Sequence, residues 1–200
     1  MNELNIKSST IEKGLDLVKG FLERAIGPSI DEFGLIHKDN MRFRRAKNQL
    51  KIFQQAKEMA EALNINIKQM DLKALFPLLE GIAVEEDETL QDMWTNLFVN
   101  YIDSKKNLTI NVYPEILKQL STNEVKILNY MEIRDKLYVE SYRKKEEIEF
   151  TKEEIANLNR LGLIEEPNFS LYDGGQAIEQ LKTDVYLMTE FGWNFLAACS

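Results

Sequence analysis

The chain is poor in the residues on which most catalytic and metal chemistry relies. Of its 200 residues one is cysteine, Cys199, and one is histidine, His37. A single cysteine excludes an intramolecular disulfide and fits a reducing cytoplasm. A Cys/His zinc centre takes about four ligands, so no metal is expected. A nucleophile served by a histidine needs that histidine beside a Ser or Cys. The lone Cys199 is instead the penultimate residue, where packing is the simpler role. A ribonuclease built on an arginine a few residues ahead of a histidine is excluded too, because Arg24 lies 13 residues before His37. Gly174-Gly175 is not followed by Lys-Ser/Thr, so it reads as a turn and not as a phosphate loop. No apolar run reaches the roughly 18 residues of a membrane span. The first residues, MNELNIKSSTIEKG, lack a basic start leading into an apolar stretch, so no signal peptide is expected. With only four prolines and nine glycines, helices are favoured over a sheet sandwich. The reading is of a cytoplasmic, non-enzymatic chain with no cofactor and no catalytic residue.

What is present is apolar periodicity and segregated charge. Hydrophobic residues make up 44% and charged residues 29%, enough apolar content for a sizeable core. Ser9-Thr10-Ile11-Glu12 has the form of a capping box, and Ile11, Leu15, Val18, Leu22 and Ile26 then recur at helical spacing. Gly27-Pro28 stops that helix, and a loop, SIDEFGLIHKD, follows. A long helix is predicted from about Asp39 to Leu63. Pro77 is expected near the start of a third helix, since an interior proline costs about 3 kcal/mol. Leu90, Met93, Trp94, Leu97, Phe98 and Tyr101 form the stripe of a fourth, with Glu85, Glu86, Asp87 and Glu88 at its dipole-favoured start. The polar segment Asp103–Asn107 marks a boundary, giving a helical bundle over 1–104 and a second domain over 105–200.

In the second domain Ser121–Glu124 and Thr151–Glu154 are further capping boxes. Leu163-Ile164-Glu165 reads as a strand after Gly162, Asp173-Gly174-Gly175 as a hairpin turn, and Asp184–Met188 as a returning strand. A last helix opens at Thr189. Glu132–Phe150 is ambiguous between helix and strand. The order is that of a winged helix. The expected fold is therefore mainly α, an N-terminal bundle followed by a winged-helix-like domain with a small β-hairpin. Fold alone does not decide function.

Three binding or catalytic readings compete. Residues 36–60 hold seven basic and two acidic residues, and Arg42, Arg44, Arg45, Lys47 and Lys51 make a candidate basic stripe. Such a stripe attracts phosphates. Residues 79–103 hold seven acidic residues and no basic one, so two helices of opposite charge facing each other, within the bundle or between subunits, is favoured about two to one. The candidate recognition helix, Thr151–Leu161, exposes Lys152 and Arg160 and offers Asn157 and Asn159 as base readers, but Glu153 and Glu154 lie beside them. Net charge is −8 overall, so nucleic acid is disfavoured against a protein partner or self-association. Trp193 is a candidate for either the core or an interface anchor. Carboxylate chemistry around Glu80, Glu85, Glu86 and Asp87 is the least favoured reading, because acids at a helix start are usually dipole partners.

The run PLLEGIAVEEDETLQDMWTNL resembles the signature of the abortive infection alpha (Abi-alpha) family. Pro77, Leu78, Leu79, Glu85, Glu86, Asp87, Leu90, Gln91, Trp94, Asn96 and Leu97 carry the resemblance. Gly34-Leu35-Ile36, Tyr113-Pro114, Leu161–Ile164 and Thr189–Gly192 extend it over about residues 30–198. It implies a bacterial or prophage-borne protein of phage defence, in which an infected cell stops growing before the phage completes its cycle. It brings no agreed catalytic residues.

Overall fold

A computed structural model of the chain describes residues 3–27, 40–134, 136–138, 150–167, 170–173, 176–180 and 185–200. Among these the protein is mainly helical, with eight helices and five short strands. It divides into two units, Met1–Gln119 with Ala198–Ser200, and Leu120–Ala197. The division falls at 119/120, beyond the 104/105 boundary expected from the polar segment. Hydrogen bonding explains why. Asp103 bridges Ile67, Ser104 N donates to Asn66 O, and Lys68 Nζ donates to Lys106 O, so the segment is stitched into the first unit.

The first unit contains α1 (Glu3–Ala25), α2 (Asn40–Ala62), α3 (Leu72–Val84), α4 (Glu88–Ile102) and α5 (Tyr113–Leu117). Helix α1 starts well before Ser9, because Glu3–Lys7 holds no breaker. The expected loop over 29–39, with His37, lies outside the described residues. The α2 bounds agree with the apolar spacing. Pro77 sits inside α3, not at its start, which is set instead by Asp71 capping Lys73 N at 2.7 Å. The carbonyl that the proline deprives of a donor is that of Lys73, an exposed residue open to water. Phe53 and Phe98 pack at 5.4 Å between centroids, and Phe21 meets Phe98 edge-on at 6.0 Å. Around them Leu22, Leu75, Leu78, Ile82, Trp94 and Leu97 are fully buried.

The second unit contains α6 (Thr122–Arg134), β1 (Lys136–Tyr138), α7 (Lys152–Arg160), β2 (Ile164–Glu165), β3 (Ser170–Asp173), β4 (Gln176–Gln180), β5 (Val185–Met188) and most of α8 (Glu190–Cys199). Both capping boxes are formed: Ser121 with Glu124, and Thr151 with Glu154. Gly162, at φ +72°, ends α7 in the left-handed region that a residue without Cβ adopts freely. The order of the three-stranded sheet is β1-β5-β2, antiparallel throughout, with Lys136 opposite Leu187 and Ile164 opposite Met188. Strands β3 and β4 pair separately, Asp173 opposite Gln176, on either side of the expected Gly174-Gly175 turn, whose own residues lie outside those described. Of the ambiguous Glu132–Phe150 segment, the end of α6 and β1 are described, while 139–149 are not.

Candidate functional site

The basic stripe lies on α2. Arg42 is in its opening turns, and Arg44, Arg45, Lys47 and Lys51 are exposed further along. Lys51 turns toward α4, where its Nζ donates to Gln91 Oε1 at 2.7 Å and stands 3.8 Å from Glu88. That is the opposed-charge arrangement, although so exposed a pair contributes at most about 1 kcal/mol. Arg44 and Lys47 have no ion-pair partner among the described residues. The same helix also holds α3 by amides, with Gln49 Nε2 on Leu79 O at 3.0 Å and Asn48 Nδ2 on Ala83 O at 3.4 Å.

The acidic cluster does not converge on a common point. Glu85 Oε1 accepts from the Glu86 and Asp87 amides at 3.0 and 2.9 Å. Asp87 caps α4 by accepting from Leu90 N at 3.1 Å. Glu80 pairs with Lys118 at 2.8 Å. The hydrogen bond to Glu80, supported by Glu115, pushes the Lys118 pKa up. No group of three His, Cys, Asp or Glu able to hold a metal ion occurs among the described residues. Cys199 is buried, and burial pushes its thiol well up, so it stays protonated. Burial first, then the nearby Cys199, also raises Tyr101, whose hydroxyl donates to Ile110 O.

The two asparagines of α4 do work that the sequence reading left unassigned. Asn96 Nδ2 donates to Cys199 O at 3.2 Å, and Asn100 Nδ2 donates to Ala198 O at 2.8 Å. They satisfy carbonyls at a helix C-terminus, which have no intrahelical donors. Lys106 Nζ in turn reaches Asn100 Oδ1 at 2.7 Å. A groove of about 670 Å³ beside them has Met59, Leu63, Ile65 and Val99 in its lining. Asn96, Asn100 and Lys106 in its lining are thus already engaged by the chain itself. The i, i+4 spacing of Asn96 and Asn100 was the available signal.

In the second unit the half-buried Asn157 and the exposed Arg160, the candidate base readers, are bonded within the chain. Asn157 Nδ2 donates to Glu124 Oε1 at 2.7 Å, and Arg160 Nη2 donates to Asn157 Oδ1 at 2.6 Å. Glu124, 4% exposed, also accepts from Ser121 N at 2.6 Å. The network therefore ties α7 to the start of α6. Trp193 is half-buried on α8.

No helix among the described residues is long and apolar enough to cross a membrane. No curated protein and no solved structure matches the chain. The model of the family described as abortive infection alpha matches residues 47–199. The match begins at Lys47, so Gly34-Leu35-Ile36, Arg42, Arg44 and Arg45 precede it, while the Pro77–Leu97 signature, Asn100 and the whole second unit lie within it. Covering well over half of the chain, the match shows that this protein belongs to the abortive infection alpha family.

Proposed function

We propose that the chain serves abortive infection without catalysis, by binding a protein partner, and that its second unit is a winged helix used as a contact surface. Family membership attaches the chain to abortive infection, and a cytoplasmic site of action fits that setting. The order α6, β1, α7, β2, β5, α8 supports the winged-helix reading, as does a sheet in which the last strand lies between the first two. The β3–β4 hairpin is then an extension of the wing. Residues 139–149, between β1 and α7, lie outside the described residues.

The observation that carries the choice of a protein partner is the hydrogen-bonded chain Glu124–Asn157–Arg160. A base-reading helix directs Asn and Arg side chains at base edges, with basic neighbours on phosphates. Here those two side chains are bonded to each other and to Glu124, and the exposed remainder of the helix offers Lys152 next to Glu153, with Asn159 as its one other amide. A mixed-charge face on a chain of net charge −8 suits a protein surface better than a polyanion. Carboxylates taken up by caps and ion pairs, together with a buried protonated thiol, support the absence of catalysis.

The test is a titration of fluorescently labelled duplex DNA, followed by anisotropy at about 50 mM salt, where phosphate binding is strongest. No saturable binding is expected. Saturable binding would overturn the reading if its log–log salt slope fell by about 2 on R44E/K47E, the signature of two lost phosphate contacts.

A further inference from the structure

The distribution of charge along α2 is opposed to the helix's own dipole. A helix is stabilised by acids near its N-terminus and bases near its C-terminus. Helix α2 has no acid in its first turn and no base in its last. Its exposed stripe runs Arg44, Lys47, Lys51, Gln54, Glu58, Glu61, basic first and acidic last. The steps alternate three and four residues, which keeps all six on one face over about 25 Å of helix.

This stripe is complementary to itself when reversed. Arg44 and Glu61 stand equally far from the midpoint between Ile52 and Phe53. So do Lys47 and Glu58, and so do Lys51 and Gln54. A two-fold axis through that midpoint sets each base of one stripe opposite an acid or an amide of the other. It also brings the two helix dipoles antiparallel. A two-fold interface requires this kind of self-matching surface. We propose that α2 is a homodimerisation face, and that its occupant is the α2 of a second copy of this chain, packed antiparallel in that register.

The contacts that the stripe makes within one chain are weak competitors. Lys51 Nζ donates one of its three hydrogens to Gln91 Oε1 at 2.7 Å and lies 3.8 Å from Glu88. Lys57 pairs with Glu61 at 3.0 Å, and Gln54 Nε2 donates to Glu58 at 3.1 Å, both at i, i+4 on an exposed surface. Such pairs contribute about 0.3–0.5 kcal/mol. Leu63, 65% exposed and just past Glu61, adds apolar area at each end of the pair. The charges set register more than affinity, so a salt-sensitive dimer results. This goes beyond the protein-partner reading, which concerns infection, and either can fail without the other.

Sedimentation equilibrium of the full chain over a concentration series tests the proposal. Wild type is expected to show a monomer–dimer equilibrium that weakens about tenfold between ~50 and ~500 mM NaCl, as exposed charge pairs do. R44E/K47E and E58K/E61K are each expected to weaken it about 30-fold or more, since like charges then meet. The variant carrying all four changes restores opposite charges at every position and is expected to dimerise as wild type does. All four side chains are exposed, so folding is expected to be unaffected and is checked by circular dichroism. A wild type that stays monomeric throughout would overturn the proposal. So would association insensitive to salt, reversals without effect, or reversals that the fourfold variant fails to rescue.

Discussion

Gly81→Ala is expected to destabilise the first unit by about 2 kcal/mol in the wild-type background and to become stabilising once Trp94 is Leu. A Cβ on Gly81 would stand 2.4 Å from both Cζ2 and Cη2 of Trp94. Trp94 is fully buried, so the ring has no solvent side into which to retreat. The third neighbour, Lys118 Cγ at 3.0 Å, belongs to a flexible side chain and yields easily. Overpacking costs about 1–3 kcal/mol, whereas alanine in a helix is better than glycine by about 1 kcal/mol. Steric conflict wins while the indole is present, and helix propensity wins when it is gone. Trp94→Leu alone is expected to cost about 3 kcal/mol, within the range of large-to-small core changes. The Trp94 Nε1 has no acceptor among the described residues, so its value lies in volume and not in a hydrogen bond. Urea unfolding of the two single variants and the double variant, followed by circular dichroism, gives the cycle. A neutral Gly81→Ala in wild type, or additive effects, would contradict this account.

Gly192→Ala is expected to cost the second unit about 3 kcal/mol or more, because the obstacle is backbone and the usual overpacking range sets a floor. The added Cβ would meet Leu163 O at 2.1 Å and Leu163 C at 3.0 Å. Leu163 O cannot move freely. It accepts from Thr189 N at 3.0 Å, and beside it the Thr189 hydroxyl donates to Gly162 O at 2.6 Å. Thr189 Oγ1 in turn accepts from Gly192 N at 2.8 Å, closing the N-terminus of α8. Pushing α8 off the Leu163 carbonyl therefore also breaks the cap and strains the β2–β5 pairing at Ile164 and Met188. Amide hydrogen exchange at Ile164, Thr189 and Trp193 is expected to accelerate in the variant relative to α4 amides. Unchanged protection would show that the helix can slide without loss.

Much of the helical skeleton is legible locally, and the particular failures show what is not. Capping boxes at Ser121–Glu124 and Thr151–Glu154 involve four residues each, so their geometry is written in adjacent letters. The α2 bounds follow from apolar spacing over more than six turns. Pro77 misled because a solvent-facing carbonyl tolerates the lost donor, and exposure is a tertiary property. Gly81 reads as an unremarkable glycine until α3 and α4 meet around Trp94. Asn157 and Arg160 look like free polar groups, since their partner Glu124 is 33 residues away from Asn157. The family signature was visible, but the task of Asn96 depends on residues 103 positions later. Charge opposition is half legible: Lys51 does face Gln91 and Glu88, whereas Arg44 and Lys47 are exposed without an ion-pair partner among the described residues.

We propose that this member of the family acts by holding a protein. Capture of the tagged full-length chain from phage-infected and uninfected cells, with bound protein and nucleic acid both identified, tests it most directly. One protein is expected, resistant to nuclease, recovered in fixed proportion and lost on Trp193→Ala. Nucleic acid recovered without such a protein and released by high salt would contradict it.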